Sequence, residues 1–398
     1  MKKIIFLFIS IIFTITSVFS QWTQKADFGG TARRGAVGFT IGTKLYIGTG
    51  FDGTLYKDFW EYDLDNNTWT QKADFGGIAR WDAVGFSIGT KGYIGTGYTG
   101  TTFKKDFWEY DPDNNTWTQK TNFGGPVRRS AVGFSIGTKG YIGTGYGTPA
   151  GTYYKDFWEY DPDNDVWTQK MDFGGTARDG AVGFFISSKG YIGTGQDIND
   201  NYYKDFWEYD PGSNTWTQKA NFGGTARTSV VGFSIGTKGY IGTGEDGTFP
   251  YTKHKDFWEY DPGSNTWTQK VDFGGTARWE AVGFSTGSKG YIGTGHDDTS
   301  YTIDFWEYNP TPNFIMEITD DFGIQLYPNP TNDILFIELI DYKNTRVEFI
   351  NMEGQSMKSF YLQSSKILID INNLVSGIYF VKIINEKGIT IKKIIKLK

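Results

Sequence analysis

The sequence predicts an all-β chain: a six-bladed β-propeller followed by a small β-sandwich. Three observations carry this reading. Trp-Thr-Gln-Lys begins at Trp22, Trp69, Trp117, Trp167, Trp216 and Trp267, a period of 47 to 51 residues. Asp-Phe-Trp-Glu-Tyr begins at Asp58, Asp106, Asp156, Asp205, Asp256 and Asp304. Glycine reaches 53 residues and aromatics 18%, which suits short aromatic-rich strands joined by tight turns. A period near fifty built of such strands means propeller blades of four strands each.

The elements follow in order. Residues 1–20 read as a signal peptide, with Lys2 and Lys3 before an apolar stretch and small residues at Val18 and Ser20, so cleavage is expected before Gln21. No later segment approaches membrane-spanning length. Residues 21–310 are the propeller. In each unit strand one is expected from the Arg of Ala-Arg through Gly-Phe, as at Arg80–Phe86, and a Gly-Thr-Lys-Gly turn follows. Strand two is Tyr93–Gly97 and its equivalents. Strand three is Asp-Phe-Trp-Glu-Tyr-Asp. A turn such as Pro112-Asp113-Asn114 leads to strand four, Thr116–Lys120. The first Trp-Thr-Gln-Lys precedes any strand one, and the last Asp-Phe-Trp-Glu-Tyr has no strand after it. Residues 22–25 are therefore expected to supply the outer strand of the sixth blade and close the ring.

These units resemble the kelch family. The Arg near the start of strand one, the glycines ending strand two, the Tyr of strand three and the Trp of strand four all match its pattern. One departure is Gly95-Thr96-Gly97, where the family usually has two adjacent glycines. The resemblance implies a kelch-type propeller over residues 21–310.

Residues 311–323 read as a linker. Residues 324–398 carry short apolar stretches separated by turns, which predicts a small immunoglobulin-like β-sandwich. Tyr327-Pro328-Asn329-Pro330, Ser376-Gly377-Ile378-Tyr379 and Lys392-Lys393-Ile394-Ile395-Lys396 resemble the C-terminal (type A) sorting domain of the bacterial type IX secretion system. The resemblance implies that the secretion machinery is a partner. It also implies export through the periplasm, removal of the tail, and a final place outside the cell or on the outer-membrane surface.

Composition excludes several chemistries. A net charge of −6 argues against nucleic acid as a partner. With no cysteine there is no disulfide, thiolate site or cysteine nucleophile, and the copper chemistry of galactose oxidase, a secreted kelch enzyme, is ruled out. Two histidines, His254 and His296, cannot complete a three-histidine zinc site. No metal or cofactor is expected.

Six near-identical units separate scaffold from function. Strands alternate in direction, so the two-to-three and four-to-one loops share one face of the ring, and nearly all the variation lies there. The pair after the repeated Arg reads Arg34-Gly35, Trp81-Asp82, Arg129-Ser130, Asp179-Gly180, Thr228-Ser229 and Trp279-Glu280. Twelve of the fourteen tryptophans belong to the repeat. The other two, Trp81 and Trp279, lie in this pair beside Asp82, Glu280 and Arg34, which suggests stacking surfaces with polar groups to orient a ligand. The six repeated arginines, from Arg33 to Arg278, are expected to be structural, each pairing a carboxylate or carbonyl. The repeated Asp and Glu of strand three are expected to be structural too, because an active site needs asymmetry. Loop carboxylates such as Asp197 with Asp200 form no calcium-binding pattern.

The expectation is a non-catalytic binding module that takes an extracellular glycan or protein at the mouth of the variable face. The ligand-binding residues would be Arg34, Trp81, Asp82, Arg129, Asp179, Trp279 and Glu280. One alternative is a sugar-modifying enzyme of epimerase or mutarotase type. It would use Asp82, Glu280 or Asp179 as acid or base, with Arg34 or Arg129 holding an acidic sugar. A structural surface or matrix protein is the third reading.

Overall fold

A computed structural model describes residues 21–149, 151–247, 250–310, 324–339, 342–351, 356–386 and 388–397. The expected signal peptide and the expected linker lie outside the described residues. Residues 20–310 form one compact unit and the C-terminal residues another. No helix occurs among the described residues.

The first unit contains six four-stranded antiparallel sheets. In sequence order the sheets begin at Val37, Val84, Val132, Val182, Val231 and Val282. Each first strand packs against the first strands of its two neighbours, and the strand from Val282 packs back against that from Val37. The sheets therefore form a ring with first strands innermost. The sixth sheet takes its outer strand from the chain start: Trp22, Thr23 and Gln24 pair with Tyr308, Glu307 and Trp306. Lys25 N–H continues the ladder onto the Phe305 carbonyl at 2.8 Å. Trp22 is 3% exposed and lies 5.0 Å from Phe257, 5.1 Å from Phe273 and 4.9 Å from Tyr308. The closing strand thus inserts its tryptophan into the seam between the fifth and sixth sheets.

Alternation explains the packing. Val84, Phe86 and Ile88 point one way and are buried against the next sheet. The intervening glycine of the neighbour permits close approach, since a Cβ on Gly140 would meet the Phe86 ring at 2.5 Å. One seam differs. Leu45 stands where the other sheets have Gly and is fully buried beside Phe284 of the sixth sheet. That sheet has Thr286 where the others have Ile, so the leucine occupies volume the missing isoleucine would fill.

Two strand boundaries differ from expectation. Strand one starts at Val84 and not at Arg80, because Asp82 adopts φ 51°, which a strand cannot contain. Strand two runs Lys91–Gly95 and stops before Gly97. It ends because Thr96 and Gly97 both take positive φ, 60° and 96°. The hairpin between them is the two-residue turn Gly89-Thr90, with Gly89 at φ 59°.

The repeated arginines are bolts in the scaffold. Arg80 is fully buried. Its two Nη atoms each donate at 2.7 Å to Asp106, Nη1 also donates to the Thr96 carbonyl at 2.7 Å, and Nε donates to the Ile78 carbonyl at 2.9 Å. Burial would raise Asp106, but the bonds from Arg80 prevail and hold it below the usual carboxylate range. Trp108 Nε1 donates to the same carboxylate. All six units repeat the Arg–Asp bridge, so these arginines offer no anion ring to the channel.

The second unit is a sandwich of a three-stranded and a four-stranded sheet around Leu335, Ile337, Val347, Phe349, Val381 and Ile394. Two of its strands, Gln325–Tyr327 and Ser356–Tyr361, lie outside the apolar stretches that mark the others in the sequence. Their apolar residues are too few and too exposed to mark a strand in sequence. The Tyr-Pro-Asn-Pro segment has a structural task. Asn329 donates to the Lys393 carbonyl at 2.8 Å and accepts from Ile395 N–H at 2.9 Å. Thr331 exchanges bonds with Ile395 and Leu397. The segment straps the free edge of the last strand, and its prolines bring no N–H to template further pairing.

Candidate functional site

The variable face is built around a closed ring of backbone hydrogen bonds. The second residue of each variable pair has positive φ: Gly35 58°, Asp82 51°, Ser130 49°, Gly180 58°, Ser229 55° and Glu280 48°. Each N–H donates to the carbonyl of its counterpart in the preceding sheet. Asp82 N bonds Gly35 O at 2.9 Å, and so on round to Gly35 N, which bonds Glu280 O at 3.1 Å. These six residues, with the small residue that follows each, line a cavity of about 160 Å³. A left-handed conformation favours glycine, and costs about 1 kcal/mol or more for a side chain such as glutamate. Asp82 and Glu280 stand where the first and fourth units use Gly.

The first residue of each pair lies one step outward. Each bridges to the residue following Gly-Thr-Gly: Arg34 to Phe51, Trp81 to Tyr98, Arg129 to Tyr146, Asp179 to Gln196, Thr228 to Glu245 and Trp279 to His296. This outer position is as variable as the pair itself. The sequence reading did not single it out, although aligning the six units on Gly-Thr-Gly displays it.

Four of the expected residues, Trp279, Arg34, Trp81 and Arg129, form one alternating stack. The Arg34 guanidinium lies 4.4 Å from the Trp279 ring centroid and 4.7 Å from that of Trp81. Arg129 lies 4.8 Å from Trp81 and 5.6 Å from both Tyr98 and Tyr146. Arg34 donates to Glu280 at 3.1 Å. The tryptophans therefore hold arginines and do not present bare stacking faces. The Arg129 guanidinium makes no hydrogen bond among the described residues; its nearest carboxylate is Asp82, at 3.9 Å. Its side chain is 27% exposed, so a planar fork of donors faces solvent from an aromatic bed.

The carboxylates lie beneath the stack. Asp82 has a side chain 7% exposed and accepts from Ser130 Oγ at 2.9 Å. Burial raises Asp82, against the opposing charges of Arg129 and Arg34 and the Ser130 bond. Burial and the neighbouring Asp82 push Glu280 well above its ordinary range. Asp179 is 8% exposed and is pushed up to about 7 by burial and by Asp82. Its Oδ1 is buried with no partner. Glu245, on the outer position, is raised by burial against Lys253 and Arg34. Asp179 thus joins the other six through Asp82 and Arg129 electrostatically, without a direct hydrogen bond to them.

The loop carboxylates are turn-formers. Asp197 accepts from Asn199 N, Asn201 N, Asn201 Nδ2 and Tyr203 OH, and Asp297 holds Thr299, Ser300 and Thr276. Among the described residues no group of His, Asp or Glu could hold a metal ion.

Two family models match the chain. The KLHDC2/KLHL20/DRC7 Kelch-repeats domain matches residues 11–177. The secretion system C-terminal sorting domain matches residues 325–397. No curated protein matches the chain. Among solved structures, one titled "Structure of YjhT" superposes with a TM-score of 0.61 at 14% identity, over 71% of this chain and 95% of that one. At that identity the likeness bears on the fold. The chain carries a kelch-repeat propeller and a type IX sorting domain, and the latter indicates export to the cell surface or beyond.

Proposed function

We propose that this exported kelch propeller is a binding module that takes an extracellular glycan at the mouth of its variable face. One observation carries the reading. Asp82 and Glu280 occupy left-handed positions where two other units use glycine. The other four units place Gly or Ser there, so packing does not call for a carboxyl, whereas a site that needs carboxyls beside the channel does. Around them, Arg129 offers donors and Asp179, Glu245 and Glu280 offer oxygens. Sugar hydroxyls both donate and accept, so a mixed set of this kind suits them. Arg34, Trp81 and Trp279 hold the set in place. Binding of the mature propeller to a glycan array, compared with Trp81→Ala plus Trp279→Ala, tests this, and equal binding by both forms would remove the site.

A second reading is favoured by the raised carboxyls. Asp179, near neutrality, and Glu280, well above its usual range, have the character of a general acid or base. An epimerase or mutarotase would use them on a sugar held by Arg34 or Arg129. Nuclear magnetic resonance would detect it, as exchange between anomers for a mutarotase or between epimers for an epimerase. Asp179→Asn would then abolish turnover while leaving affinity within a few-fold; a bound sugar that exchanges no faster than in buffer would exclude this reading.

A further inference from the structure

We propose that the outward face of the tail's three-stranded sheet is the surface on which a receptor subunit of the secretion machinery docks. This rests on the sorting role that the family match gives residues 325–397. Register puts Tyr327 opposite Phe336, and Phe336 opposite Leu368, in one row across all three strands. The row lies on the solvent side, because Leu335, Ile337 and Ile369 on either side of it fill the core. Tyr327 and Phe336 stack at 5.5 Å. Leu368 is 52% exposed and Ile334, on the same face, 44%. Beside the row a groove of about 470 Å³ is lined by Pro328, Pro330, Ile334 and Phe336 among others.

The other outer face of the sandwich is different. There Arg346, Glu348, Lys382 and Lys393 interleave with the apolar residues, as on a solvated sheet. On the three-stranded face the charged residues stand in the rows on either side of the apolar row. Lys366 lies over both rings, 5.1 Å from Tyr327 and 5.5 Å from Phe336, and is paired with Glu338 at 3.4 Å. Asp333, paired with Lys396 at 3.1 Å, and Asp370 lie at the opposite end. An apolar row with a proline-walled groove is costly to leave in water on a domain whose task is to be recognised. The complementary partner presents an apolar loop.

The test uses the full chain, expressed in a bacterium that has type IX machinery, with extracellular and periplasmic propeller measured separately. Leu368→Glu and the milder Leu368→Ser, each combined with Ile334→Glu, are compared with Val375→Glu and Met357→Glu. The last two replace apolar residues at least comparably exposed, 77% and 48%, on other segments of the tail. Thermal unfolding and limited proteolysis establish that each tail is folded. A photo-crosslinker placed at residue 368 or 375 reports contact directly. The expected result is at least a tenfold drop in export for the face variants, with accumulation in the periplasm, near-normal export for the two controls, and a crosslink to a machinery subunit from residue 368 alone. Normal export of folded face variants, or an equal loss in the controls, overturns the proposal. Deleting residues 324–398 separates the underlying reading: if that deletion leaves export intact, the sorting role itself fails.

Discussion

Trp22→Ala is the sharpest perturbation of ring closure. Trp22 is 3% exposed, so truncation removes nearly all of an indole from a buried seam. About 200 Å² at about 25 cal/mol per Å² gives roughly 5 kcal/mol. The three aromatic contacts add to this, while relaxation of a terminal strand returns some of it. A net cost of about 3–5 kcal/mol is expected, as for other buried Trp→Ala changes. At about 2 °C per kcal/mol for a domain of this size, the midpoint should fall by roughly 6–10 °C. The assay is urea unfolding followed by tryptophan fluorescence, with a differential scanning trace of the same samples. Lys57→Ala, at an exposed site on the same ring, is the control. A loss below about 1 kcal/mol, or one no larger than the control, would show that the ring does not depend on its first strand.

Other outcomes follow from the same geometry. Arg80→Ala should cost about 3–5 kcal/mol, because it leaves Asp106 without the partner that satisfies it; urea unfolding checks this, and a loss under 1 kcal/mol would contradict the bolt. Asp179→Asn should stabilise at pH 8 and do little at pH 4. The carboxyl titrates near 3.8 unfolded but at about 7 folded, so the folded state binds its proton more tightly. That contribution is neutral below the unfolded value and turns increasingly unfavourable as pH rises to about 7. At 1.36 kcal/mol per unit, the ceiling on the gain is about 4 kcal/mol. Denaturant unfolding of both forms at the two pH values decides it, and destabilisation at pH 8 would mean that Asp179 is ionised and well paired. Leu45→Ala should cost about 2–4 kcal/mol by opening a cavity in the one seam that lacks the usual isoleucine, checked by thermal unfolding.

Much of the fold was legible because the six units repeat their signals. A single Trp-Thr-Gln-Lys says little, whereas an orphan copy before the first unit and an orphan Asp-Phe-Trp-Glu-Tyr after the last announce the closing strand. Strand ends were less legible. They depend on positive φ at Asp82 and Thr96, and neither residue advertises a left-handed backbone as glycine does. The hint was indirect: Gly35 and Gly180 stand at the position of Asp82. The mouth residues were legible as departures from the repeat, but their contacts were not. That Trp81 and Trp279 enclose Arg34 depends on the ring bringing the sixth, first and second sheets together. The position after Gly-Thr-Gly, from Phe51 to His296, was overlooked because it adjoins loops of unequal length.

The central claim is that recognition resides in the stack and carboxyls of the variable face. The most direct measurement is equilibrium binding of the mature propeller to the best glycan-array hit, alongside Arg129→Ala and a variant away from the variable face such as Phe185→Ser, which restores the residue four other units carry there. The account predicts at least a tenfold loss for Arg129→Ala and unchanged affinity for Phe185→Ser, with both proteins folded. Unchanged affinity in Arg129→Ala, or a loss confined to Phe185→Ser, would contradict it.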